Sequence, residues 1–295
     1  MKYPLFTGSA TAMVTPFKDG AVNYIKMGEL LDIQASSGTA AAVICGTTGE
    51  NPTLSISETE TLFEFCGKHL REKGMLFIAG IGGNNTIKSL HLAHAAEAAG
   101  ADGVLMVTPY YNKTTQKGLV DHFTYVADRT DLPVILYNVP ARTGIGITVE
   151  TYKLLSRHPN INGVKEASGV LSLAARTIAE CGEDLNFWSG NDDDTIPMMA
   201  LGAKGVISVA SNIVPKTVAE ICSLCIDEEF FEASRLYFEY ADLFAGMFLE
   251  VNPIPVKTAM NALGMDVGEP RLPLVGMQDG NRAKLLNILK KHGIL

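Results

Sequence analysis

Residues 103–140 read GVLMVTPYYNKTTQKGLVDHFTYVADRTDLPVILYNVP. The stretch opens on an apolar run, Gly103 to Tyr111, and closes on another, Pro133 to Pro140. Neither run alternates apolar with polar residues, the pattern of strands covered on both faces of a parallel sheet. Between them TTQKGLVDHFTYVADRT carries a helical pattern. Strand, helix and strand make a βαβ unit, and the alternation continues in both directions.

Upstream lie apolar runs from Ser9 to Phe17, Ala41 to Glu50 and Met75 to Gly83; downstream lie Ile161 to Ser168, Leu185 to Asp192 and Gly205 to Ser211. Helical patterns separate them. In SISETETLFEFCGKHLREKG, Ser57 is placed to cap a helix with Glu60 three residues on, a capping box. NTIKSLHLAHAAEAAGA ends on Gly100, a residue suited to the position after a helix. About 20 residues separate the seventh and eighth runs, room for a short crossover helix with Gly202 after it. Eight units in about 225 residues predict an α/β fold of the (β/α)8 TIM-barrel type. The alternative is an open Rossmann-like sheet, but Gly80-Ile81-Gly82-Gly83 does not match G-x-G-x-x-G. From about Asp227 the pattern becomes purely helical, which predicts a catalytic barrel over 1–226 and a C-terminal helical extension over 227–295.

Composition bounds the function. Of 295 residues, 47% are hydrophobic and 19% charged, enough for a large core and too little charge for a disordered chain. A net charge of −8 argues against a nucleic-acid partner. The N-terminus lacks the apolar segment of a signal peptide, and no apolar run approaches membrane-spanning length. Five scattered cysteines read as free thiols in a reducing compartment, so a cytoplasmic location is expected. Cys222 and Cys225 form a lone C-x-x-C with no second ligand pair, and two buried thiols on one helix are the better reading. His91 and His94 could share a helix face with Glu97, but no further ligand cluster joins them, so no metal site is expected. Asp192, Asp193 and Asp194 read as a solvated helix start.

Barrel enzymes gather their reactive groups at the C-terminal ends of the strands. Those ends hold Gly46-Thr47-Thr48-Gly49-Glu50, Thr108-Pro109-Tyr110-Tyr111, Tyr137-Asn138-Val139-Pro140 followed by Arg142, Lys165-Glu166, and Ser189-Gly190-Asn191. Lys165 closes an apolar strand, where burial would lower its pKa and free a neutral amine to form an imine with a ketone. From position alone, a structural salt bridge, for instance to Glu166, is as good a reading. Tyr137 ends the preceding strand and could relay protons, or be a core tyrosine with a satisfied hydroxyl. Thr47 and Thr48, flanked by glycines, could present hydroxyls and amides to a small carboxylate, or form an ordinary turn. Arg142 follows a stiffening proline and suits a carboxylate, or a surface ion pair. Together these groups point to covalent amine catalysis on a small carboxylated ketone.

The motifs GTTGE, TPYYN, LYNVPARTG, GVKEAS, SGND and GVISV, in this order and spacing, resemble those of the dihydrodipicolinate synthases within the N-acetylneuraminate lyase superfamily. The resemblance runs from Gly8 to about Ile213, and the helical tail is similar. It implies that Lys165 condenses with pyruvate, that Tyr137 shuttles protons with Thr47, and that Tyr111 completes the relay in a neighbouring subunit's site. Thr48, with backbone near Ile207 and Gly190, would hold the pyruvate carboxylate, and Arg142 the carboxylate of aspartate semialdehyde. No cofactor is implied; a homotetramer built as a dimer of dimers is. Lysine-inhibited members carry His and Glu residues where this chain has Ile56, Thr59 and Lys88, although Asn84 and Tyr110 match their effector site. Weak or absent lysine feedback is therefore expected. Two rivals stay open at this level: a pyruvate-dependent sugar-acid aldolase, and a non-catalytic barrel that binds a keto acid.

Overall fold

A computed structural model describes residues 2–295. Eight parallel strands close into a barrel: β1 (Gly8–Ala12), β2 (Ala41–Ile44), β3 (Leu76–Gly80), β4 (Gly103–Val107), β5 (Val134–Asn138), β6 (Ile161–Glu166), β7 (Asn186–Ser189) and β8 (Gly205–Ser208). β1 closes the ring by pairing with both β2 and β8. Each strand is shorter than the apolar run that predicted it, because the end of each run forms the loop at the barrel mouth. The (β/α)8 expectation holds, and the open sheet is excluded. A small antiparallel ribbon, Phe17–Lys18 with Ala21–Val22, lies outside the ring.

Alternate residues of each strand face the barrel axis. The interior is filled by Ala10, Ala41, Val43, Ile78, Leu105, Ile135, Tyr137, Trp188 and Ile207. Its floor is sealed by Phe6 stacked on Trp188 at 4.8 Å, with the indole N–H donating to the Phe6 carbonyl at 3.2 Å. The outward residues pack against the helical layer, and the same apolar layer continues into the helices Phe230–Gly246, Ile254–Ala262 and Asp279–Lys291. Among the described residues no helix is long and apolar enough to cross a membrane.

Two local expectations need correction. The first long helix, Ile56–Lys73, is capped by Ser55 and Glu58 rather than by Ser57 and Glu60. Both pairs fit the S-x-x-E spacing, but only Ser55 has the extended backbone a cap requires, so Ser57 falls inside the first turn. Glu60 instead meets His91 at 2.7 Å. The second concerns Asp192, which is buried rather than solvated. Its carboxylate accepts from the Ser208 hydroxyl and from the backbone N–H groups of Val209 and Ala210. Elsewhere the reading stands: Gly100 and Gly202 take positive φ after their helices, and Cys222 and Cys225 are buried free thiols on the helix Pro215–Ile226. His91, His94 and Glu97 separate to different partners, His94 to the Arg129 carbonyl and Glu97 towards Thr130 and Asp131.

Candidate active site

The barrel mouth opens into a cavity of about 180 Å³ lined by Thr47, Tyr110, Tyr137, Arg142 and mainly apolar neighbours such as Leu105 and Val139. Strand register builds its chemistry. Tyr137 of β5 is paired with Lys165 of β6, which is paired with Trp188 of β7, so the three side chains share one inward row. The Lys165 Nζ lies 4.4 Å from the centre of the Tyr137 ring. Next in the strand, Glu166 must face the other way. It accepts from the Asn138 amide at 2.9 Å, the Tyr152 hydroxyl at 3.2 Å and the Ser168 N–H at 2.7 Å. The salt-bridge alternative between Lys165 and Glu166 is thereby removed.

Burial is the largest influence on Lys165 and pushes its pKa down to about 8. The Asp192 carboxylate opposes this, and the Arg142 guanidinium adds to it. A buried amine held this low keeps a useful neutral fraction near pH 7, about a tenth against less than a thousandth for an ordinary lysine. Burial raises the Tyr137 phenol, while Arg142 and a hydrogen bond with Thr47 lower it, so the phenol keeps its proton at neutral pH.

Gly190 closes one side of the amine. A Cβ there would lie 2.6 Å from the Ala167 Cβ and 3.1 Å from the Lys165 Cε, so only glycine allows this approach. Ile207, on the inward face of β8, is fully buried beneath the mouth. Thr48 is buried, and its hydroxyl accepts from the Asn252 side-chain amide at 3.0 Å. Arg142 reaches over the mouth from the short helix Pro140–Thr143, and its Nη2 donates to the Asn252 carbonyl at 3.1 Å.

Not every expected residue converges. Tyr111 is 92% exposed, has φ +67°, and stands outside its own chain's cavity. Tyr110, expected at an effector site, lines the cavity at the barrel mouth. The Thr59 hydroxyl is committed to the Ser55 carbonyl at 3.0 Å, and Lys88 is exposed. The Asn84 carbonyl accepts from the Asn112 amide at 2.9 Å. Two contributors went unread in the sequence. Asp192 sits inside the SGND motif, but as the first of three consecutive aspartates it reads as a solvated helix start. Asn252 lies in the helical tail, far from any strand end, and carried only the turn signal of Asn-Pro. Cys45, which also lines the cavity, adopts a left-handed backbone at φ +58° that its residue type does not announce. Among the described residues no cluster of three or more metal-ligating side chains occurs.

Residues 5–292 match the sequence pattern of the Dihydrodipicolinate synthetase family. A 4-hydroxy-tetrahydrodipicolinate synthase from Thermoanaerobacter sp. (strain X514) is 45% identical over 99% of this chain and 98% of its own length. The crystal structure of dihydrodipicolinate synthase from Aquifex aeolicus superposes with a TM-score of 0.95 at 45% identity, covering 98% of this chain and 99% of that one. The chloride-inhibited dihydrodipicolinate synthase from Acinetobacter baumannii, complexed with pyruvate, superposes with a TM-score of 0.95 at 39% identity, covering 98% and 100%.

Proposed function

The chain belongs to the dihydrodipicolinate synthetase family, and from that premise we infer that it is a lyase-type 4-hydroxy-tetrahydrodipicolinate synthase, joining pyruvate to aspartate semialdehyde through an imine on Lys165. The observation that carries the chemistry is the buried Lys165 amine, lowered to about 8 and set over Tyr137 in one inward row. The pyruvate in the Acinetobacter relative's structure supports the choice of keto acid.

In this reading the neutral Lys165 attacks the ketone carbon of pyruvate, and water leaves to give the imine. Tyr137 carries the protons, assisted by Thr47. Thr48 and the backbone near Gly190 and Ile207 hold the pyruvate carboxylate. Loss of a methyl proton turns the imine into an enamine, whose carbon attacks the semialdehyde carbonyl while Arg142 binds the far carboxylate. The substrate's own amine then closes the ring and displaces Lys165. Tyr111 reaches a neighbouring subunit's relay, which its exposure outside its own cavity supports. The assembly is a homotetramer, the location the cytoplasm, and lysine feedback weak, in keeping with Lys88 at the effector position.

The test is a coupled assay with pyruvate, aspartate semialdehyde and the downstream reductase, read by loss of NADPH absorbance. Turnover that vanishes in folded Lys165→Ala carries the reading. No turnover from protein that still traps pyruvate with borohydride would replace the semialdehyde by another aldehyde substrate.

A further inference from the structure

Lys257 is a buried charge with no part in the chemistry above. Its side chain is 1% exposed and that of Glu50 is 0% exposed, and the two meet at 2.8 Å. The remaining ammonium hydrogens go to the backbone carbonyls of Thr15 at 3.1 Å and Glu269 at 3.3 Å. The ring of Phe17 lies 4.3 Å below the nitrogen. The second oxygen of Glu50 accepts from the Arg271 N–H at 2.8 Å, so both carboxylate oxygens are held. A buried pair of this kind rarely stabilises a fold better than apolar side chains of the same volume would. What a fully bonded pair does supply is register.

The register it fixes is that of the threonine loop. Glu50 ends Gly46-Thr47-Thr48-Gly49-Glu50, and its N–H donates back to the Thr47 carbonyl at 3.1 Å. Its own backbone is left-handed, at φ +57°, a conformation that a glutamate keeps only when its surroundings impose it. The Thr15 residue whose carbonyl Lys257 holds also donates its hydroxyl to the Gly49 carbonyl at 2.6 Å. Lys257 therefore grips the loop twice, through Glu50 and through Thr15. It does so from the helix Ile254–Ala262, the element next to Asn252, whose amide holds Thr48.

We propose that Lys257 is a positioning residue for the reaction: through Glu50 it sets the loop that presents Thr47 to Tyr137 and Thr48 to the keto-acid carboxylate. The inference rests on the synthase reading above. It makes the C-terminal helical region part of the pyruvate subsite rather than an appendage to the barrel.

The test is the double variant Glu50→Gln/Lys257→Met, which removes both charges, leaves no unpaired buried ion and approximates the volumes. Pyruvate KM, kcat and the rate of borohydride trapping on Lys165 are measured beside the wild type, with melting temperature as the control for folding. A displaced loop predicts pyruvate KM raised on the order of tenfold at near-native melting temperature, with semialdehyde KM little changed and the pH midpoint of trapping unmoved. A folded double variant with pyruvate KM within about twofold of wild type would make the pair purely structural and overturn the proposal. Should the double variant not fold, Glu50→Asp keeps both charges and shortens the tether; an unchanged pyruvate KM there overturns the proposal equally. Wild-type protein that fails to trap pyruvate would instead sink the synthase reading, and this inference with it.

Discussion

The amine of Lys165 stands 4.4 Å from the centre of the Tyr137 ring because the two residues are register partners on adjacent parallel strands. The amine and the phenol are thus fixed by backbone hydrogen bonding, and no loop need move to bring them together. Burial disfavours the ammonium most, the Asp192 carboxylate favours it and the Arg142 guanidinium disfavours it further, and the balance leaves Lys165 at about 8.

Imine formation should follow that proton. Below about 8 the amine is protonated and cannot attack, so the rate of borohydride trapping should rise as pH increases through this value and level off above it. A midpoint near that of an ordinary lysine would contradict the buried environment. Because the Asp192 charge raises the Lys165 pKa, Asp192→Asn should move the midpoint down, not up.

Gly190→Ala should be far more damaging than a single methyl suggests. The new carbon would press on the Ala167 Cβ and the Lys165 Cε, at 2.6 and 3.1 Å. Overpacking of this kind costs about 1–3 kcal/mol of stability. Since Lys165 is the movable partner, the trapping rate should drop on the order of tenfold or more. Kinetics equal to wild type would show that the amine has room the geometry denies it.

Arg142 and Asn252 should separate the two substrates kinetically. Arg142→Gln removes a charged donor and should raise semialdehyde KM by roughly ten- to a hundredfold. Asn252→Ala removes only the amide that holds Thr48, since the carbonyl bonded to Arg142 is backbone. Loss of one neutral hydrogen bond should raise pyruvate KM by about fivefold and leave the semialdehyde constant nearly unchanged. Equal effects of both variants on both substrates would refute the division of labour.

The barrel, and the places of Lys165, Tyr137 and the threonine loop at its mouth, were legible because strand patterning and the rule for barrel mouths act locally along the chain. Position alone left each side chain a structural reading as well, and their roles came from the family resemblance. Lys165 and Tyr137 each end an apolar strand, and their register follows from the alternation of faces. Asn252 and Lys257 were not legible, since NPIPVK lies in the purely helical tail and their contacts with Thr48 and Glu50 lie more than 200 residues away. Asp192 was misread for a related reason: three consecutive aspartates look solvated until β8 brings Ser208 and two N–H groups to one of them.

Tyr111 tests the assembly. If it serves a neighbouring subunit, mixed oligomers of Tyr111→Ala and Lys165→Ala chains should regain activity. The Lys165→Ala chain lends its Tyr111 to the intact Lys165 of its neighbour. If Tyr111 served its own chain, no site in the mixture would hold both residues. Recovery on mixing two inactive variants, read in the coupled assay after exchange of subunits, would support the arrangement; none would oppose it.

Lysine should be a poor inhibitor. An effector site for a free amino acid needs a carboxylate for its ammonium, yet at the position that the family resemblance matches to it this chain has Lys88, an exposed like charge. Two charges of one sign repel at short range, and the desolvation of a ligand ammonium beside a cation is uncompensated. The Thr59 hydroxyl offers no substitute, being bonded to the Ser55 carbonyl. Millimolar lysine should therefore leave turnover nearly unchanged, and Lys88→Glu should raise sensitivity by removing the repulsion and adding an anion. Strong inhibition of the wild type by lysine would show that Asn84 and Tyr110 suffice for binding without a carboxylate.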